Sequence, residues 1–150
     1  WGISSLVMEL MQIRLTIMGC RAFLCRRGGL SLWEQVRGVR EGDVVIVCEL
    51  PSYAVEVTES VEIAHRNGAK VITMTDSAAA PVCRFAELQL NVSANSPTFG
   101  SSIIGPIFLT HVLTSSLAVS LGAEAKKSFD EQASFLHDER IFHPIFGLKY

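Results

Sequence analysis

Residues Val44, Val45, Ile46, Val47 and Cys48 form an unbroken apolar run, four of them β-branched. A strand with one face in water alternates apolar and polar side chains. A strand without alternation is covered on both faces, as in a parallel sheet sandwiched between helices. A second β-branched core run spans 70–74 and closes on Thr75-Asp76-Ser77. Between the two runs, Ala54, Val57, Val61 and Ala64 share one helical face, and Asn67-Gly68 supplies a C-terminal cap. Strand, helix and strand in this order predict a right-handed crossover and a doubly wound parallel sheet.

The remaining elements extend that unit. Ser4 and Ser5 can cap a helix that runs to about Met18 and ends at Gly19, while Trp1-Gly2-Ile3 reads as the tail of a strand whose beginning lies upstream. Residues 20–25 are expected as a short strand, 30–37 as a short helix and 86–92 as an edge strand. In that last segment Leu88, Leu90 and Val92 alternate with Glu87, Gln89 and Asn91. A polar loop over 93–98 precedes a long helix, about 100–121. Gly122 breaks it, an amphipathic helix follows over about 124–136, and a tail with little periodicity runs through Tyr150.

Composition narrows the function. A chain of 150 residues fits one domain, and a formal net charge of −2 excludes a basic nucleic-acid-binding surface within it. Cys20, Cys25, Cys48 and Cys83 form no Cys-x-x-Cys pair and are read as buried free thiols in a reducing, cytoplasmic setting. The apolar stretch 103–121 approaches membrane-spanning length. It carries Pro106, His111, Thr114, Ser115, Ser116 and Ser120, so a buried or subunit-interface helix is expected and no membrane partner. His137 and His143 lack metal-ligand spacing, and no cofactor, metal or catalytic constellation is expected.

In an open parallel sheet the ligand crevice lies beyond the carboxyl ends of the strands. The segments expected there are 2–5, 49–54, 75–77 and 93–102. They are rich in hydroxyls and stand where helices begin, which suits an anion such as phosphate. Singly, Ser4, Ser52 and Ser101 could be mere helix caps; together they mark a candidate site. Glu49 is the discordant residue, because a carboxylate at a strand mouth repels phosphate and could instead accept from a sugar hydroxyl or an amine.

The run GDVVIVCELPSYAVEVTESVEIAHRNGAKVITMTDS, residues 42–77, resembles the sugar isomerase (SIS) domain, in the version found in RpiR-type bacterial transcriptional regulators. The likeness continues through Ala80-Pro81, residues 86–92 and Asn95-Ser96-Pro97-Thr98-Phe99. The resemblance implies a three-layer αβα sandwich with a flavodoxin-like parallel sheet, a phosphorylated-sugar ligand and a homodimer or higher homo-oligomer. It also implies a helix-turn-helix domain upstream in the parent protein, through which alone DNA would be bound. The single SIS domain covers 1–150, with a tail from about His137.

Gly2-Ile3-Ser4 matches the family's Gly-x-Ser, which gives Ser4 a ligand-contact role, with Ser5 beside it. The family's Ser-x-Ser-Gly-x-Thr loop aligns with Glu49-Leu50-Pro51-Ser52-Tyr53-Ala54, so Glu49, Pro51 and Ala54 replace hydroxyl residues and Ser52 replaces glycine. The expected ligand set is Ser4, Ser5, Glu49, Ser52, Tyr53, Ser96, Thr98, Ser101 and Ser102. The expected function is that of an effector-binding and dimerisation domain. Two alternatives are a degenerate domain that only dimerises and an aldose–ketose phosphate isomerase with Glu49 as base.

Overall fold

A computed structural model describes residues 2–138. Expectations for Trp1, His143 and the tail beyond Asp138 lie outside the described residues. Helix α1 (Ser4–Ile17) leads to α2 (Leu32–Val36), strand β1 (Val44–Glu49), α3 (Val55–Arg66) and β2 (Lys70–Thr75). A 3-10 turn (Pro81–Phe85), β3 (Leu88–Asn91), α4 (Ile104–Leu121) and α5 (Ala123–Asp138) complete the order. The strands form one parallel sheet in the order β1-β2-β3, with Val45 opposite Val71 and Ile72 opposite Leu88.

The absence of alternation in β1 has its explanation in the layers. Val47 packs against the Val57, Val61 and Val71 cluster and Val45 against Val36, Ala64 and Ala69 on the α3 side; Ile46 and Cys48 face the opposite cluster of Val7, Met11 and Met74. Helices α2 and α3 cover one face, and α1 and α4 cover the other, so Val45 through Cys48 are apolar whichever way they point. The result is the expected αβα sandwich. Ser31 caps α2 through a reciprocal box with Glu34, and the Leu32 N–H donates to Glu56 Oε1 at 3.1 Å, tying α2 to the first turn of α3.

Four expectations are corrected. Residues 20–25 are extended but join no ladder among the described residues, and Phe23 is 89% exposed. A strand is defined by its neighbour, and local β-propensity does not supply one. Consequently Cys25 is exposed and Cys20 only half-buried, whereas Cys48 and Cys83 are buried as expected. Gly2 and Ile3 form the turn into α1, with Gly2 at φ +55°, and Ile3 occupies the N-cap position; no side chain caps that end. Helix α4 begins at Ile104 rather than about Gly100 and is only partly buried, with Ile107, Leu109 and Leu113 packed against the Val7 and Met11 cluster. Its inward side is Pro106, Thr110 and Thr114, while Ile104, Phe108 and Val119 point outward.

Small and polar residues on the inner side let α4 come close. At Gly105 a Cβ would collide with Val92 Cγ2 and stand 2.9 Å from the Ser93 carbonyl oxygen. Inside, Arg14 Nε of α1 donates to Thr114 Oγ1 at 2.6 Å, and Thr114 Oγ1 donates in turn to the Thr110 carbonyl. We expect Gly105→Ala to destabilise the fold by about 1–3 kcal/mol, the usual cost of forcing a group into filled space; urea unfolding monitored by circular dichroism measures it.

Candidate functional site

The carboxyl end of β1 and its loop into α3, the turn before α1 and the loop after β3 border a crevice of about 510 Å³, which the expected segment 75–77 does not line. Ser4, Glu49, Ser52, Ser96 and Ser101 line it, joined by Asn95, which the sequence reading had not singled out although it adjoins Ser96 in the same polar loop. The other expected ligands are engaged elsewhere. Ser5 Oγ donates to the Gly2 carbonyl, Thr98 is exposed and pairs with Ser96, and Ser102 Oγ accepts from the Ile104 N–H as α4 begins. Tyr53 packs on the α3 side of the sheet, and its hydroxyl donates to Asp76 Oδ1 at 2.8 Å. Burial and then the Asp76 carboxylate push that phenol up, so it stays a protonated donor.

Strand geometry explains the placement of Glu49. Side chains alternate across a strand, so Glu49 follows Val45 and Val47 to the α3 face. There its Oε1 accepts the Ala54 N–H at 2.8 Å, at the amino end of α3. Neither Ser52 nor any other N-cap side chain closes this helix; Ala54 holds the N-cap position with no side-chain bond. Glu49 therefore supplies the negative charge that the helix end favours, through a charge-assisted bond from the preceding strand. The residue is only 4% exposed, and its other oxygen, Oε2, is buried with no partner in the protein. Burial raises the Glu49 carboxyl above its ordinary value, against the lowering effect of the Ala54 bond.

The rest of the wall is electrically quiet. No lysine or arginine side chain lines the crevice among the described residues. Cys48 is paired with the Ser4 hydroxyl, and burial pushes its thiol up to about 11, which makes it a neutral wall group rather than a nucleophile. Ser52 takes φ +77°, in the left-handed region. The turn from β1 into α3 thus imposes on a serine a conformation that glycine adopts without strain. No group of histidine, cysteine, aspartate and glutamate suited to a metal ion occurs among the described residues. A second depression, at the amino ends of the strands, is lined by Gly42, His65, Lys70 and Glu87 and lies away from the helix amino ends.

A family model described as the SIS domain matches residues 27–120, more than half of the chain. The chain belongs to the SIS family. Its fold is similar to that of the sugar isomerase domain of an RpiR transcription factor from Sphaerobacter thermophilus. The TM-score is 0.81 at 23% identity, with 87% of this chain and 73% of that one covered. It is similar in the same degree to the Vibrio vulnificus NanR protein complexed with ManNAc-6P, at TM-score 0.81 and 23% identity, over 92% of this chain. The chain spans about half of that protein, 53% of its length. A more distant likeness is to a protein of E. coli CFT073, with a TM-score of 0.62 and 18% identity over 85% of this chain and 68% of that one. No curated protein sequence matches the chain.

Two outcomes follow from this SIS-domain loop. Because the Glu49 carboxyl is raised in the folded state, its contribution to stability is fully present below the unfolded carboxyl pKa and is lost as pH rises through the folded value. Glu49→Gln keeps an acceptor for the Ala54 N–H and removes the titration. Its stability relative to the parent chain should therefore grow from acid to neutral pH, read by denaturant unfolding across that range. Ser52→Gly, at the left-handed position, should stabilise the fold by about 1 kcal/mol, read as a rise in unfolding midpoint.

Proposed function

We propose that this SIS domain is the effector-binding and dimerisation domain of an RpiR-type transcriptional regulator. The effector is a phosphorylated sugar or a related carbohydrate derivative. One observation carries the reading: a crevice at the carboxyl ends of a parallel sheet is walled by Ser4, Ser52, Ser96 and Ser101 and holds a buried, half-partnered carboxylate. Serine hydroxyls both donate and accept, which is what a polyol ligand offers in return. The fold shared with the RpiR and NanR proteins, the latter complexed with ManNAc-6P, supports a sensing role over catalysis. DNA binding belongs in this reading to a helix-turn-helix domain outside these residues, whose own charge is close to neutral. Four free cysteines accord with a reducing cytoplasm.

The dimerisation half rests on α4. By length and composition this helix alone among the described residues could cross a membrane, and 17% of it is buried within the protein. An arginine hydrogen-bonded to its middle, Arg14 on Thr114, favours a helix packed on protein. The outward residues Ile104, Phe108 and Val112 recur every four positions and make one apolar stripe suited to an isologous contact with a second copy. A dimer in sedimentation velocity that Phe108→Glu converts to monomer is the expected result. Thermal-shift screening against sugars and sugar phosphates tests the effector half. A dimer that no carbohydrate stabilises would leave a domain that only assembles.

A further inference from the structure

The amino end of α3 is the natural anion site of this crevice, and it already contains an anion. A helix start offers unpaired N–H groups and the positive end of the helix dipole to an incoming phosphate or carboxylate. Here the Glu49 carboxylate reaches that position from the end of β1 and takes the Ala54 N–H at 2.8 Å. Pro51, in the same loop, has no N–H to offer. A second anion at this point would meet a buried carboxylate at close range, with no lysine or arginine among the described lining residues to offset the repulsion.

The same carboxylate leaves one oxygen unused. Glu49 lines the crevice, and its Oε2 is buried with no partner in the protein. An ionised carboxylate oxygen only accepts, so its missing partner is a donor. An unpaired buried acceptor of this kind destabilises the fold, and a ligand O–H or N–H would recover that loss on binding. The surrounding hydroxyls of Ser4, Ser52, Ser96 and Ser101 continue the same chemistry around the crevice.

We propose that the crevice takes an unphosphorylated sugar, hydroxyl- or amine-bearing, with Glu49 filling the anion position of α3 through Oε1 and receiving a ligand O–H or N–H on Oε2. This assignment rests on the effector reading above and narrows it: the ligand is a carbohydrate derivative without a phosphate at α3. Glucosamine and glucose represent the two donors that suit Oε2, an ammonium and a hydroxyl.

Isothermal titration of the 150-residue chain with inorganic phosphate, glucose, glucosamine and their 6-phosphates tests it. Glu49→Ser and Glu49→Gln are titrated alongside, and their circular dichroism verifies the fold. The parent chain should bind a free sugar at least about tenfold more tightly than its 6-phosphate and should not bind inorganic phosphate. Preference for glucosamine over glucose would assign the donor as an ammonium, and the reverse as a hydroxyl. Glu49→Ser should lose the free-sugar preference and gain phosphate binding, as the helix end becomes vacant. Glu49→Gln should keep the Ala54 bond and weaken glucosamine more than glucose. Tighter binding of a 6-phosphate than of the free sugar by the parent chain would overturn this inference and leave the effector reading standing. Absence of sugar binding by all three proteins would overturn both.

Discussion

Burial of the β1–β2 pair on both faces is the constraint on which the other features depend. Once Val45 and Val47 face α3 while Ile46 and Cys48 face α1 and α4, the register of each strand is pinned, because a slip by one residue would exchange the two faces and their differently shaped clusters. The same pinning fixes the end of β1. Glu49 cannot turn to solvent without dragging the strand, so its side chain is delivered beneath the first turn of α3. The charge at the site is thus a consequence of strand parity as much as of the residue itself.

The interplay of charge and burial at that position is unusual. A glutamate at a strand mouth is normally solvated; here it is enclosed and holds one backbone donor with one oxygen. The favourable half of the arrangement is a charge-assisted bond at a helix amino end. The unfavourable half is the idle acceptor and the desolvated charge. Such an imbalance is tolerated where a binding partner restores it, and hydroxyl-rich walls around an idle carboxylate oxygen are of that kind.

Legibility in the sequence followed the range of the interactions. The runs 44–48 and 70–74 and the helix between them were readable because the 2.0 and 3.6 periods and the Asn67-Gly68 stop are local. Residues 20–25 were misread because their β-propensity is local but a ladder partner is not. The α4 helix was legible only in part. Its composition is apolar throughout, and nothing in composition says that threonines rather than phenylalanines turn inward; only the close approach at Gly105 and the Arg14–Thr114 bond decide it. At the crevice, Ser4, Glu49, Ser52, Ser96 and Ser101 fell together as the strand-end rule requires, whereas Tyr53 was claimed by Asp76 across the β1 and β2 ends. The role of Glu49 at the α3 amino end was hidden because no capping pattern spans strand, loop and helix at that spacing.

The loop after β3 is held at both its ends. The Val92 N–H donates to the Thr75 carbonyl at 2.9 Å, the Ser102 N–H donates to the Ala94 carbonyl at 2.8 Å, and Gly105 lets α4 press directly on the chain at Val92 and Ser93. Between those anchors the stretch through Asn95, Ser96 and Gly100 borders the crevice and carries little of the core. Substitution there would remodel one wall of the crevice while leaving the sandwich untouched. A scaffold with fixed loop ends and a free loop centre can therefore exchange one small ligand for another by local change alone, and its recognition can diverge faster than its fold.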